Sequence, residues 1–172
     1  EIEVSFQFVK YIYDMLQVLF PPFYRVVSDS EYDEDTGIMT LRYFENKDEV
    51  LKEFGDRVEE ILEASVCEGD TDIMKALGIY NYMTPRCVYD YASVDDHYAD
   101  VSSYRGIMTF TGICQTFAGA YTYLIIQAGV TATSVVAFSQ DLASHEWCVA
   151  RFGDEYYFID PTFDCGMSSV MY

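Results

Sequence analysis

At 172 residues the chain has the length of one ordinary domain, and with 51% apolar residues it can bury a substantial core. Ten basic residues against twenty-nine acidic ones give a formal charge of −19, which argues against nucleic acid and disfavours an anionic membrane surface. No uninterrupted apolar run approaches the ~20 residues of a membrane span, so no membrane insertion is expected.

In chain order, residues 4–20 carry Phe8, Tyr11, Ile12, Met15, Leu16 and Leu19 at helical spacing and stop at Pro21-Pro22, which predicts an amphipathic helix ended by prolines. Residues 23–28 and 38–44 read as two strands around a polar turn over 29–37. Asp29, Glu31, Asp33 and Asp35 raise the idea of calcium, but the loop lacks the glycine at its sixth position and the glutamate at its twelfth that an EF-hand needs. Residues 48–66 form a second amphipathic helix, with Val50, Leu51, Phe54, Val58, Ile61 and Leu62 facing inward. Thr71 or Asp72 caps a third helix that ends near Met83, ahead of Pro85. No Gly/Ser/Pro-rich linker divides the chain, so residues 1–70 read as a helix-hairpin-helix lead-in packed on a core over 71–172. Residues 92–111 are a polar connection long enough to form a wall or lid of a cleft, with His97 expected in a surface loop.

Cys114 follows a glycine and opens an apolar stretch that runs through Phe117, Ala118, Tyr121 and Ile125 to a helix stop at Gly129. Those positions lie three, four, seven and eleven residues after Cys114, so the thiol starts the core-facing stripe of a buried helix. A helix N-terminus carries roughly half a positive charge, a setting that suits a reactive thiol better than a merely buried one.

His145 and Asp160 lie in two apolar runs separated by Gly153-Asp154, a hairpin signal. With a two-residue loop, Phe152 faces Glu155, Trp147 faces Asp160, and His145 is a diagonal neighbour of Asp160 on one face. A four-residue loop sets His145 directly opposite Asp160, whereas a three-residue loop separates them. Either useful register brings imidazole and carboxylate within reach, since diagonal neighbours are about 7–8 Å apart. Thiol, imidazole and carboxylate are the parts of a cysteine acyl-transfer site: nucleophile, proton carrier and orienter.

These residues resemble the transglutaminase-like superfamily of papain-fold thiol enzymes. The resemblance rests on Gly112-Ile113-Cys114 at a helix start, His145-Glu146-Trp147 on a strand, and Asp160-Pro161-Thr162 closing the next strand. It covers about residues 71–166, including Ile79-Tyr80-Asn81-Tyr82 and Tyr89-Asp90. It implies an α+β, papain-like core in which the Cys-bearing helix packs on an antiparallel β-sheet. Cys114 is then the nucleophile, His145 the base and acid, and Asp160 the orienter, with Trp147 and Gly112 as candidate substrate contacts. The implied reaction is acyl transfer from, or hydrolysis of, a peptide or glutamine amide through a thioester. The partners are then a peptide or protein substrate and an amine acceptor, without cofactor or metal. Similarity to secreted bacterial members implies an extracellular or cell-surface location. Cys148 departs from the pattern, standing after Trp147 where many relatives have Asn. The other class of function is a non-catalytic module of the same fold that binds peptide or glycan within a larger surface protein. Intact Cys114, His145 and Asp160 count against it, because binding alone has no chemical need for all three.

Five cysteines leave at least one outside any internal disulfide. With Cys114 set aside, Cys67, Cys87, Cys148 and Cys165 are as readily four free thiols as two bridges. A zinc site built from His145, Cys148 and Cys165 is disfavoured, because strand alternation sends His145 and Cys148 to opposite faces. The chain opens on Glu1 without a leader-like stretch, so a processed or trimmed chain is expected, with room for sequence past Tyr172.

Overall fold

The computed structural model describes residues 2–3, 16, 18–137 and 144–166. Most of the helix predicted over 4–20 lies outside these residues. Its last turn is described: Leu16, Val18 and Leu19 are helical, and Phe20 N–H donates to the Leu16 carbonyl (2.8 Å).

Among the described residues the architecture is mixed α+β, with three small sheets and the helices packed around them. Strand β1 (Ile2–Glu3) pairs with β3 (Ile38–Tyr43), which pairs antiparallel with β2 (Val27–Asp33). The hairpin differs from the sequence expectation in its first half. Phe23–Val26 is a helical turn, α1, and β2 begins only at Val27. Arg25 and Val26 donate to the Pro22 carbonyl at 2.8 and 3.1 Å, so the chain turns where β-branched and aromatic residues suggested extension. Asp29, Glu31 and Asp33 of the hairpin have protein partners. Arg42 pairs with Asp29 (2.7 Å) and Glu31 (3.1 Å), while the Asp33 carboxylate accepts the Asp35 and Thr36 N–H groups.

Helix α2 (Lys47–Ser65) buries Phe54, Val58 and Ile61. Helix α3 (Asp72–Met83) starts at Thr71, whose hydroxyl accepts the Met74 N–H at 3.4 Å, and continues into a 3-10 turn, Thr84–Arg86. Strand β4 (Val88–Tyr89) runs parallel to β5 (Thr111–Gly112). The connection between them is not simply polar coil: it contains a helix, α4 (Ser103–Thr109), capped by Ser102. Its glycine, Gly106, hid it in the sequence, and the packing explains the glycine. A Cβ there would stand 2.8 Å from the Thr116 carbonyl and 2.9 Å from the Ala120 methyl. Phe110 then takes the left-handed conformation (φ 52°) and turns the chain into β5.

Helix α5 (Cys114–Gln127) is the centre of the molecule, with Phe117, Ala118, Ala120, Tyr121, Leu124 and Ile125 fully buried. It packs on α3, α4 and a three-stranded antiparallel sheet in the order β6-β7-β8. Strand β6 (Thr131–Ala137) was not anticipated; β7 (His145–Phe152) and β8 (Glu155–Ile159) form the expected hairpin. Phe54 of α2 joins the same core as α5, stacking on Tyr104 with ring centroids 5.5 Å apart. Val58 and Ile61 of α2 belong to that cluster as well.

Candidate active site

The hairpin register positions the imidazole and the carboxylate. Phe152 pairs with Glu155, Ala150 with Tyr157 and Cys148 with Ile159, so Gly153-Asp154 is a two-residue loop, with Gly153 at φ +62° as its first residue. Alternation then sends Glu146, Cys148 and Ala150 into the core and His145 and Trp147 to the other face. His145 Nε2 lies 2.5 Å from Asp160 Oδ2, a distance at which the ring N–H donates to the carboxylate. That contact leaves Nδ1 as the ring nitrogen free for chemistry.

Asp160 is itself held by two further contacts. Its Oδ1 accepts the Thr162 N–H (2.9 Å), and its backbone carbonyl lies 3.2 Å from the Tyr80 hydroxyl. The same Tyr80 hydroxyl donates to Asp164 Oδ2 at 2.8 Å. Its side chain is only 14% exposed against 39% for His145, so the carboxylate backs the ring from the protein side. Phe163 covers His145 edge-on, with centroids 6.3 Å apart, and Trp147 lies 6.0 Å from the same ring.

Cys114 is the first residue of α5, partly exposed. Ile113 at the cap position has no side-chain oxygen, so it cannot close the helix end. Thr116 instead accepts the Ile113 N–H (3.3 Å) and donates to the Val101 carbonyl (3.0 Å), fixing the turn from outside. The Tyr89 side chain lies beside Cys114 at the start of α5. Burial raises the Tyr89 phenol above its ordinary range, and the nearby Cys114 adds to it, so this hydroxyl stays protonated.

Cys114 and His145 line one cleft of about 590 Å³, together with Tyr89, Gln115, Ser134 and Glu146. Val94, Val101 and Ser103 supply another wall, so the connection between β4 and β5 does border the cleft. Glu146 is buried, and burial pushes its carboxyl above the usual range against the opposing Ser134 hydroxyl and His145. On the far side of His145 lies an aromatic groove of about 600 Å³, lined by Tyr80, Trp147, Phe158, Asp160 and Phe163.

The structure thus brings Cys114 and His145 to one cleft and Asp160 onto the imidazole. It does not put the other two candidates on that cleft wall. Trp147 lines the neighbouring groove, and Gly112 is buried, where a Cβ would stand 2.5 Å from three atoms of the Thr116 side chain. The role of Gly112 is therefore to admit Thr116 beneath the start of α5. Gln115 and Glu146 were given no role from the sequence, and Tyr89 stood there only as part of the resemblance. Only Glu146 carried a signal, as the lone acidic residue at an inward position of an otherwise apolar strand. Among the described residues, no group of three or more His, Cys, Asp or Glu is placed to hold a metal.

The sequence matches no family model and no curated protein. Among solved structures, one described as the crystal structure of a TGase is similar in fold, with a TM-score of 0.54 and 17% identity. The alignment covers 75% of this chain and 35% of that one, so the chain spans little more than a third of that protein's length.

Proposed function

We propose that the protein is a transglutaminase-like thiol enzyme with a papain-like core, acting on a peptide or glutamine amide. The observation that carries this reading is the Nε2–Oδ2 contact between His145 and Asp160 at the rim of a cleft that opens on Cys114. In the first half-reaction Cys114 Sγ bonds to the amide carbonyl carbon while His145 Nδ1 takes the thiol proton. The tetrahedral oxyanion is met by the Cys114 N–H and the Tyr89 O–H. Collapse breaks the C–N bond, His145 protonates the departing amine, and a thioester remains on Cys114. In the second half, water or an amine attacks the thioester, His145 takes its proton, and the thiol is released protonated. Asp160 holds the ring so that Nδ1 faces the thiol, and it stabilises the imidazolium between the two transfers.

Water is present at high concentration and the cleft is open to it, so hydrolysis is the default outcome. The test is turnover of a panel of glutaminyl and peptide amides, followed by ammonia release and by incorporation of a labelled primary amine. Cys114→Ala should abolish both signals while leaving the fold intact. Full activity in that variant would remove Cys114 as the nucleophile, and no turnover of any amide by the wild-type protein would make the non-catalytic binding module the better reading.

A further inference from the structure

We infer that Cys87 and Cys165 are a disulfide-forming pair that clips the segment carrying Asp160 and Phe163 onto the core. After β8 the chain crosses the C-terminal end of α3 as a strap. Tyr80 holds it through Asp160 and Asp164, and one turn further on the Gly166 N–H donates to the Thr84 carbonyl (3.0 Å). The Cys87 N–H donates to that same Thr84 carbonyl (3.2 Å), so two backbone amides from distant parts of the chain converge on one oxygen. A Cβ built on Gly166 would stand 3.4 Å from the Cys87 carbonyl. This convergence brings the two cysteines together, close enough that each thiol influences the titration of the other. Cys87 is buried and Cys165 partly exposed, so an oxidant reaches the pair through Cys165.

The oxidant is a small-molecule disulfide. The Cys165 thiolate attacks it, forming a mixed disulfide and releasing one small thiol. The Cys87 sulfur then attacks Cys165 Sγ, giving its proton to solvent, and a second small thiol leaves. Two protein thiols are oxidised and one disulfide is reduced. Burial, with Cys165 beside it, raises the Cys87 thiol far above its ordinary range, so the second step is the slow one. The product closes the chain from position 87 to position 165. It ties the strap behind Asp160 to the strand that delivers Tyr89, without touching either side chain.

The test uses the Cys114→Ala protein, so that its outcome is independent of the thiol-enzyme reading. The protein is equilibrated with oxidised and reduced glutathione at pH 8, quenched in acid, alkylated in denaturant and digested without reduction. The expected result is one cross-linked peptide pair joining Cys87 to Cys165, with Cys67 and Cys148 alkylated. The oxidised form should melt higher than the reduced form by roughly 5 °C or more, and Cys165→Ser should lose this shift. Glutathione stably retained on Cys165 with Cys87 alkylated, a link to another cysteine, or four alkylated thiols after equilibration would each overturn the inference.

Discussion

Replacing Asp160 with Asn separates orientation of the imidazole from its mere presence. The wild-type carboxylate uses both oxygens, Oδ2 on His145 Nε2 at 2.5 Å and Oδ1 on the Thr162 N–H at 2.9 Å. An amide has one oxygen. If that oxygen stays with Thr162, the Asn N–H₂ faces His145 and forces Nε2 to accept, which moves the ring proton to Nδ1. The ring then cannot take the thiol proton. If the amide flips, the Thr162 N–H loses its partner. Either way one hydrogen bond to a charged group is lost, worth about 1.5–3 kcal/mol, or roughly a 10- to 100-fold fall in rate. The equivalent change in a serine triad costs about 10⁴-fold, and a thiol, more easily deprotonated than a hydroxyl, should soften that loss. The assay requires no substrate: the rate of iodoacetamide alkylation of Cys114 at pH 6, read by peptide mass spectrometry. Circular dichroism should be unchanged, because the Tyr80 contact uses the Asp160 backbone carbonyl. A rate within twofold of wild type in a folded variant would refute the orienting role.

Three further outcomes follow from the same geometry. Tyr89→Phe removes the hydroxyl beside Cys114 and should lower kcat by roughly 10² with little change in KM, as loss of an oxyanion donor does; unchanged kcat would remove Tyr89 from the site. Gly119→Ala places a Cβ 2.1 Å from Ser103 Oγ between α4 and α5, and should cost about 1–3 kcal/mol in urea unfolding; an unshifted midpoint would contradict the close approach. Glu146 has its folded pKa raised by burial, so between its unfolded pKa and that raised value the folded state binds more protons, and stability falls as pH rises through this window. Glu146→Gln should flatten that fall and be more stable than wild type at pH 7, which denaturant titration across pH 4–8 would check.

The parts of the molecule that were legible in the sequence are those set by local chemistry. The Gly153-Asp154 turn fixed the β7–β8 register, and with it the meeting of His145 and Asp160. Thr71 marked the start of α3 because a threonine hydroxyl can satisfy a free helix N–H. The misses arose where tertiary packing overrode local preference. Helix α4 carries Gly106, a poor helix former, because α5 passes too close for a side chain. Strand β6 is a Thr/Val-rich run after the Gly129 stop, and the unpaired outer edge of β7 should have demanded it. Tyr89 reaches the cleft only because β4 lies parallel to β5, a pairing of two residues on each side that no periodicity reveals. The Cys87–Cys165 approach likewise depends on two distant segments of the chain meeting at the Thr84 carbonyl.

If Cys114 is the nucleophile, it carries an acyl-thioester between the two half-reactions, and that adduct can be trapped. The protein is mixed with an activated ester of a glutaminyl analogue, quenched in acid within seconds, and mapped by peptide mass spectrometry. A single acyl group is expected on Cys114, absent in Cys114→Ala and released by added amine or water. No adduct on Cys114, or acylation spread equally over the accessible Cys67, Cys114 and Cys165, would contradict it.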